Sequence, residues 1–243
     1  MVCHEGRLNM SRRSDLWIFL TAIFALIAFA ARGGEVEVSV IPSSRVRDPN
    51  ILVQRDGGGY AYRTHLDFIL QRLDIQPGDR ILDLGAGDGW WTAHFAEKVG
   101  AEGTVYAGEV TQELVDRLKQ RLQDHPNAKP YLCPRNRPGL PDQSVDLVFI
   151  SQVYHHLEGQ TRIDYWRELA KTVTPSGRVA VIETYPQIAL RGKDHGTPLS
   201  TLVREAEEGG WIPVEVWFIP GTQHYLAIFI QQRAFFPKPA SQQ

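Results

Sequence analysis

Cysteine is nearly missing from this 243-residue chain, with Cys3 and Cys133 the only two. Two cysteines build no disulfide framework, and without a Cys-x-x-Cys or His-x-x-x-His pair no structural zinc, or other metal site, is expected. Net charge is missing as well. Lys+Arg 26 against Asp+Glu 28 leaves −2, whereas a domain built to hold nucleic-acid phosphate carries a clear basic excess. There is no Ser-His-Asp arrangement or reactive-cysteine signature to suggest covalent catalysis. What remains, 43% hydrophobic and 22% charged, is the composition of a folded core, which excludes wholesale disorder and collagen-like repeats. The length suits one large domain, or one domain with appendages.

One apolar run stands out, Leu16–Ala31, preceded by Arg12 and Arg13 and ended by Arg32-Gly33-Gly34. It falls short of the ~20 apolar residues that span a bilayer core. A basic start, a short apolar stretch and small residues at its end make the pattern of a secretory signal. Residues 1–31 are therefore expected to be a signal peptide or, uncleaved, a signal anchor. The protein would then be exported or membrane-anchored, with membrane association through residues 16–31. Cleavage would remove Cys3 and leave Cys133 alone. Residues 32–60 are polar and glycine-rich, a flexible linker or N-terminal arm. Gly57-Gly58-Gly59 lacks the following Lys-Ser/Thr of a phosphate loop and reads as a joint. The folded domain is expected over 61–235, with 236–243 as a tail.

From His65 onward strand and helix signals alternate. Helices are predicted over His65–Leu73, from Trp91 through Val99, over Glu113–Leu122, from Ile163 to Val173 and over Pro198–Glu208, each with apolar residues at helical spacing. Strands are predicted at Arg80–Leu84, Thr104–Gly108, Lys129–Cys133, Val145–Ile150 and Arg178–Ile182. Trp211–Ile219 and Tyr225–Gln231 look like a closing antiparallel pair around Pro220-Gly221. Such alternation means an α/β fold with a parallel, doubly wound Rossmann-like sheet. Its ligands bind beyond the carboxyl ends of the strands.

The first strand runs into Asp83-Leu84-Gly85-Ala86-Gly87-Asp88-Gly89. Glycines permit a tight reversal and close approach of a ligand, and free N–H groups at a helix start would point at it. The dinucleotide fingerprint would want glycine at 90, where Trp90 stands. Glu109 ends the next strand, where a carboxylate can accept from both hydroxyls of a ribose; a helix N-terminal acid is the alternative reading.

In these residues the chain resembles the class I S-adenosylmethionine-dependent methyltransferases. The resemblance rests on Ile81–Gly89, Val105–Glu109, Leu140–Phe149, Val153-Tyr154-His155-His156-Leu157 and Thr174-Pro175-Ser176-Gly177-Arg178-Val179, in the family's order. It implies a seven-stranded sheet ordered 3-2-1-4-5-7-6 with the last strand antiparallel and helices on both faces. It also implies S-adenosyl-L-methionine as cofactor and a small-molecule methyl acceptor. Cofactor-binding residues would be Asp83, Gly85, Ala86, Gly87, Gly89, Glu109, Val110 and Ser151, with Gln152 beside Ser151 on the sulfonium side. Where the family often carries an acid for adenine, this chain has Cys133-Pro134-Arg135-Asn136, and Asn136 is the nearest substitute. The Asn/Asp-Pro-Pro-Tyr motif of base and amide methylation is absent, which argues against nucleic acid as substrate.

Methyl transfer is an in-line displacement that asks the protein to position the acceptor and, for some acceptors, to deprotonate it. His155 and Tyr154 are the catalytic candidates, His155 ahead of His156, since histidine titrates near neutral pH. Packing is the competing role for all three. Cys133, at the end of an apolar strand, is expected to be buried packing. Trp91 is expected in the core, Trp90 either there or capping the pocket. Tyr60, Tyr62 and His65 form a lid or a solvated arm, and His195 and His224 shape the acceptor pocket or lie on the surface. Two other classes stay open: a nicotinamide-dependent oxidoreductase, and a non-catalytic exported domain that retains the fold. The oligomeric state is not legible.

Overall fold

The computed structural model describes residues 60–157, 160–186 and 196–235. The signal segment, the linker up to residue 59, His195 and the tail 236–243 lie outside the described residues. Among those described, no helix is long and apolar enough to cross a membrane.

Seven strands form one sheet: β1 Arg80–Leu84, β2 Thr104–Glu109, β3 Ala128–Leu132, β4 Val145–Ser151, β5 Val173–Thr184, β6 Trp211–Phe218 and β7 His224–Gln231. Their order is β3-β2-β1-β4-β5-β7-β6, as the resemblance implied. The first five pair in parallel, and β7 runs antiparallel to both β5 and β6. Among the described residues five longer helices flank it, α1 Leu66–Leu73, α2 Trp90–Val99, α3 Gln112–Arg121, α4 Gln160–Thr172 and α5 Leu199–Glu208, and a single turn, α6 Gln232–Phe235, follows β7. A 3-10 turn, Ala61–His65, leads into α1.

Strand alternation sends neighbouring residues to opposite faces. On β4, Val148 and Ile150 join α4 and α5 through Trp166, Leu169, Leu202 and Ala206. Leu147 and Phe149 instead join α1 and α2 through Ile69, Leu73, Trp91 and Phe95. Both faces are thus covered, which is why β4 carries an almost unbroken apolar run. Cys133 is buried as expected, and burial pushes its thiol pKa up.

β5 begins five residues earlier than predicted. Val145 pairs with Val173 and Leu147 with Arg178. The intervening Thr174-Pro175-Ser176-Gly177 bulges opposite Asp146, so proline sits where no ladder N–H is needed. Asp146 ties this corner to β1 by accepting from Arg80 N at 3.0 Å, its Nη2 at 2.9 Å and Thr174 Oγ1 at 3.2 Å.

Candidate functional site

Beyond the carboxyl ends of β1, β2 and β4 lies a cavity of about 740 Å³, within the ~300–1,000 Å³ of ordinary ligand pockets. Asp83, Gly85, Ala86, Gly87, Glu109, Val110 and Ser151 all border it. Seven of the eight residues expected at the cofactor thus meet at one place. Gly89 does not. Its buried backbone, at φ 73°, starts α2, and a Cβ there would lie 2.9 Å from Leu118 Cδ2 of α3. Its role is helix packing.

The turn differs from expectation in its hydrogen bonds. The N–H groups of Gly85 and Ala86 both donate to Gly108 O, at 2.9 and 3.2 Å. Gly87 N donates to Glu109 Oε1 at 2.6 Å, and Glu109 Oε2 accepts from Val110 N at 3.1 Å. These amides are therefore used within the protein rather than left bare for a ligand. Close approach comes from the missing side chain instead: around Gly87 a Cβ would find only Gly85 O, at 3.9 Å. At Gly85 a Cβ would lie 2.4 Å from Val153 Cγ2, so this glycine lets the turn press against the segment after β4.

Asp83 is buried beneath the turn and accepts from Thr92 Oγ1 at 2.6 Å. Burial first, and then the nearby Glu109, raise its pKa to about 7 against the lowering effect of the Thr92 hydroxyl. The 3-10 turn before α1 closes another wall. Tyr62 is 1% exposed; its hydroxyl meets Ser151 Oγ at 2.8 Å and its ring stacks on Trp91. Tyr62 pins the segment to the sheet although Tyr60 stays exposed, and sequence missed its second anchor. Arg63 makes a bidentate pair with Asp88 of the glycine turn, at 2.9 and 3.0 Å. Its guanidinium lies 4.2 Å from the Tyr60 ring centroid and 4.9 Å from that of Trp90. Burial would raise the Asp88 carboxyl, but the Arg63 bonds and the Trp90 N–H hold it below its ordinary range. Trp90 is thus a shelf for Arg63, Trp91 is core that also borders the cavity, and His65 does not border it.

Of the catalytic candidates, Tyr154 is not brought to the cavity. It is 1% exposed, its hydroxyl donates to Glu205 Oε2 at 2.7 Å, and it accepts from Trp166 Nε1 at 3.0 Å. Burial raises its pKa, far from a usable base. His155 is turned to Glu183 at the end of β5, whose carboxylate takes His155 N at 3.0 Å and Nδ1 at 2.9 Å. His156, placed second by sequence, borders the cavity. Among the residues after β3, Arg135 borders it and Asn136 does not. His224 is buried, its ring 4.7 Å from that of Tyr62.

The donor set fits an adenosyl cofactor. Glu109 uses one lone pair on each oxygen and has others left to accept from hydroxyl groups, Gly87 leaves room, and Arg63 Nε is buried without a hydrogen-bond partner.

Residues 81–177 match a family model described as a methyltransferase domain. The "Ubiquinone/menaquinone biosynthesis C-methyltransferase UbiE" of Burkholderia mallei (strain SAVP1) is 28% identical over 124 residues, 50% of each chain. The chain thus spans about half the length of the curated relatives it matches. A SAM-dependent methyltransferase from Aquifex aeolicus superposes with a TM-score of 0.59 at 22% identity, over 67% of this chain and 87% of that one. Aeropyrum pernix fibrillarin, with natively bound S-adenosyl-L-methionine, gives 0.55 at 19% identity over 70% and 75%. The TehB-like SAM-dependent methyltransferase of Corynebacterium glutamicum gives 0.53 at 16% over 90% and 100%. At these identities the structures establish the shared fold.

Proposed function

From a chain that carries a methyltransferase domain on the class I fold, we propose an enzyme that transfers a methyl group from S-adenosyl-L-methionine to a small molecule. The observation that carries this reading is the meeting of Gly85–Gly87, Glu109 and Ser151 at one cavity. When bound, the cofactor supplies an electrophilic methyl group on a sulfonium. Glu109, already fixed by two backbone N–H groups, accepts from the ribose hydroxyls. Val110 and Arg135 flank the adenine. Asp83, as a carboxylate, receives the amino group of the methionine portion, and Gly87 admits the backbone-close approach. Ser151, Gln152 and Tyr62 wall the side on which the acceptor meets the methyl group. Positioning is the main contribution here. For an acceptor that needs deprotonation, His156, which borders the cavity, takes the proton, while His155 is held by Glu183.

Calorimetric titration with S-adenosyl-L-methionine and S-adenosyl-L-homocysteine tests this. Binding of both is expected, and failure of both at millimolar concentration rejects it. The acceptor atoms to try are oxygen, nitrogen, sulfur and carbon, with carbon first because the Burkholderia relatives are named as C-methyltransferases. For residues 1–31 the reading is export or anchoring, supported by the basic residues ahead of Leu16–Ala31. Sequencing the mature N-terminus separates cleavage from anchoring, and an uncleaved protein in the soluble cell fraction overturns both.

A further inference from the structure

At the tip of β4, Gln152 combines two unfavourable features. Its backbone lies in the left-handed region at φ 57°, which a residue with a Cβ adopts only under constraint. The constraint is visible: Gln152 N donates to Ile182 O at 2.9 Å. The side-chain amide is fixed at one end, Oε1 accepting from Thr184 Oγ1 at 2.8 Å. At the other end Nε2 is buried and has no hydrogen-bond partner. A buried N–H without an acceptor is destabilising and uncommon in folded proteins. Both features fall on a residue that borders the cavity, next to Ser151 and close in sequence to His156. The neighbouring Ser151 hydroxyl is engaged with Tyr62, whereas the Gln152 amide keeps a donor that no group among the described residues takes up.

We propose that Gln152 selects the methyl acceptor by donating from Nε2 to an oxygen of the small molecule. The acceptor class is then one that carries a carboxylate, carbonyl or phenolate oxygen near the atom to be methylated. A molecule whose only polar group is an ammonium would set donor against donor and leave the amide unsatisfied, the situation in which buried polar sites discriminate most strongly. This inference rests on the methyltransferase reading above and adds the substrate class to it.

The test uses the full chain with ¹⁵N-labelled glutamine side chains, saturated with S-adenosyl-L-homocysteine. The Gln152 amide signal is identified by its loss in Gln152→Glu. Benzoate and 4-hydroxybenzoate are the oxygen-bearing probes, benzylamine the donor-only control. At least one oxygen-bearing probe is expected to shift the Gln152 signal and to bind Gln152→Ala more weakly by about ten-fold, the loss of one hydrogen bond. Benzylamine is expected to do neither. Gln152→Gly removes the amide and relieves the left-handed backbone, so its Tm should equal or exceed that of the parent while the same affinity is lost. A glutamine kept for packing would lower Tm on removal and leave probe affinity untouched. The proposal is overturned by a Gln152 signal unmoved at probe saturation, by equal affinity for benzylamine, or by no oxygen-bearing probe binding at millimolar concentration. If S-adenosyl-L-homocysteine itself does not bind the parent, the methyltransferase reading fails and this inference with it.

Discussion

The Glu109 carboxylate accepts the Gly87 amide at 2.6 Å, joining the tip of β2 to the turn that leaves β1. One side chain therefore shapes the glycine turn and, in the proposed function, holds the ribose. A carboxylate has lone pairs enough for both, and the inward bond keeps it at the cavity wall instead of in solvent.

Replacing Glu109 with Ala should weaken S-adenosyl-L-homocysteine binding by roughly 1–3 kcal/mol, the cost of leaving polar groups unpaired. Titration calorimetry measures it, and unchanged affinity would refute the ribose assignment. Glu109→Gln should recover little, because its amide end opposes the N–H of Gly87 or Val110.

Asp83 gives a pH dependence whose sign is opposite to that of most acids. Its pKa is raised from 3.8 in the ordinary state to about 7 in the fold, chiefly by burial. Between those values the folded protein keeps a proton that the unfolded chain has lost, so the Asp83 contribution to stability falls as pH rises through the window and is flat above it. Asp83→Asn should flatten that slope in denaturant midpoints and be no less stable than the parent at pH 8. If the cofactor amine lies beside Asp83 as proposed, it favours the ionised form, and affinity in the parent should rise with pH through about 7. The variant should lose that rise.

Gly85→Ala should be among the most damaging single-methyl additions. Its backbone has φ 73°, which costs roughly 1–2 kcal/mol for an L-residue, and the new Cβ would lie 2.4 Å from Val153 Cγ2. A lowered Tm together with lost cofactor binding is expected. Val153→Ala in the same chain should relieve the clash and recover part of the Tm. Recovery of all of it would show that the backbone angle is not limiting.

Tyr154→Phe separates packing from catalysis. The substitution removes the donor to Glu205 and the acceptor for Trp166 Nε1, so stability should fall by roughly 1–3 kcal/mol. Methyl transfer per folded molecule, measured at low temperature, should be unchanged. A rate loss that exceeds the loss of folded protein would return Tyr154 to the catalytic machinery.

Much of this was legible because it is local. Glycines at 85 and 87, an acid at 109 and the apolar run of β4 are written over a few residues each, and turn chemistry and strand alternation act on that scale. The strand order needed the resemblance, since parallel pairing leaves no local mark of which strand lies beside which. Tyr154, His155 and His156 show the limit of such reading. On one 3-10 turn Tyr154 points into the core while the His155 and His156 rings lie 4.1 Å apart, yet of the three only His156 borders the cavity, and their neighbours in sequence do not say which way each goes.

The sequence by itself determined the element types, the sharp turn after β1 and the presence of an acid at the next strand end, because hydrophobic period and glycine content fix these without distant partners. The tertiary structure decided the use of each side chain. It spent the turn amides on Gly108 and Glu109, sank Tyr154 onto Glu205, turned His155 to Glu183 and tied Arg63 to Asp88. In each case the partner is decided by where the fold brings residues distant in sequence together, and where the pair is buried, as with Tyr154 and Glu205, an unmade bond is too costly to leave.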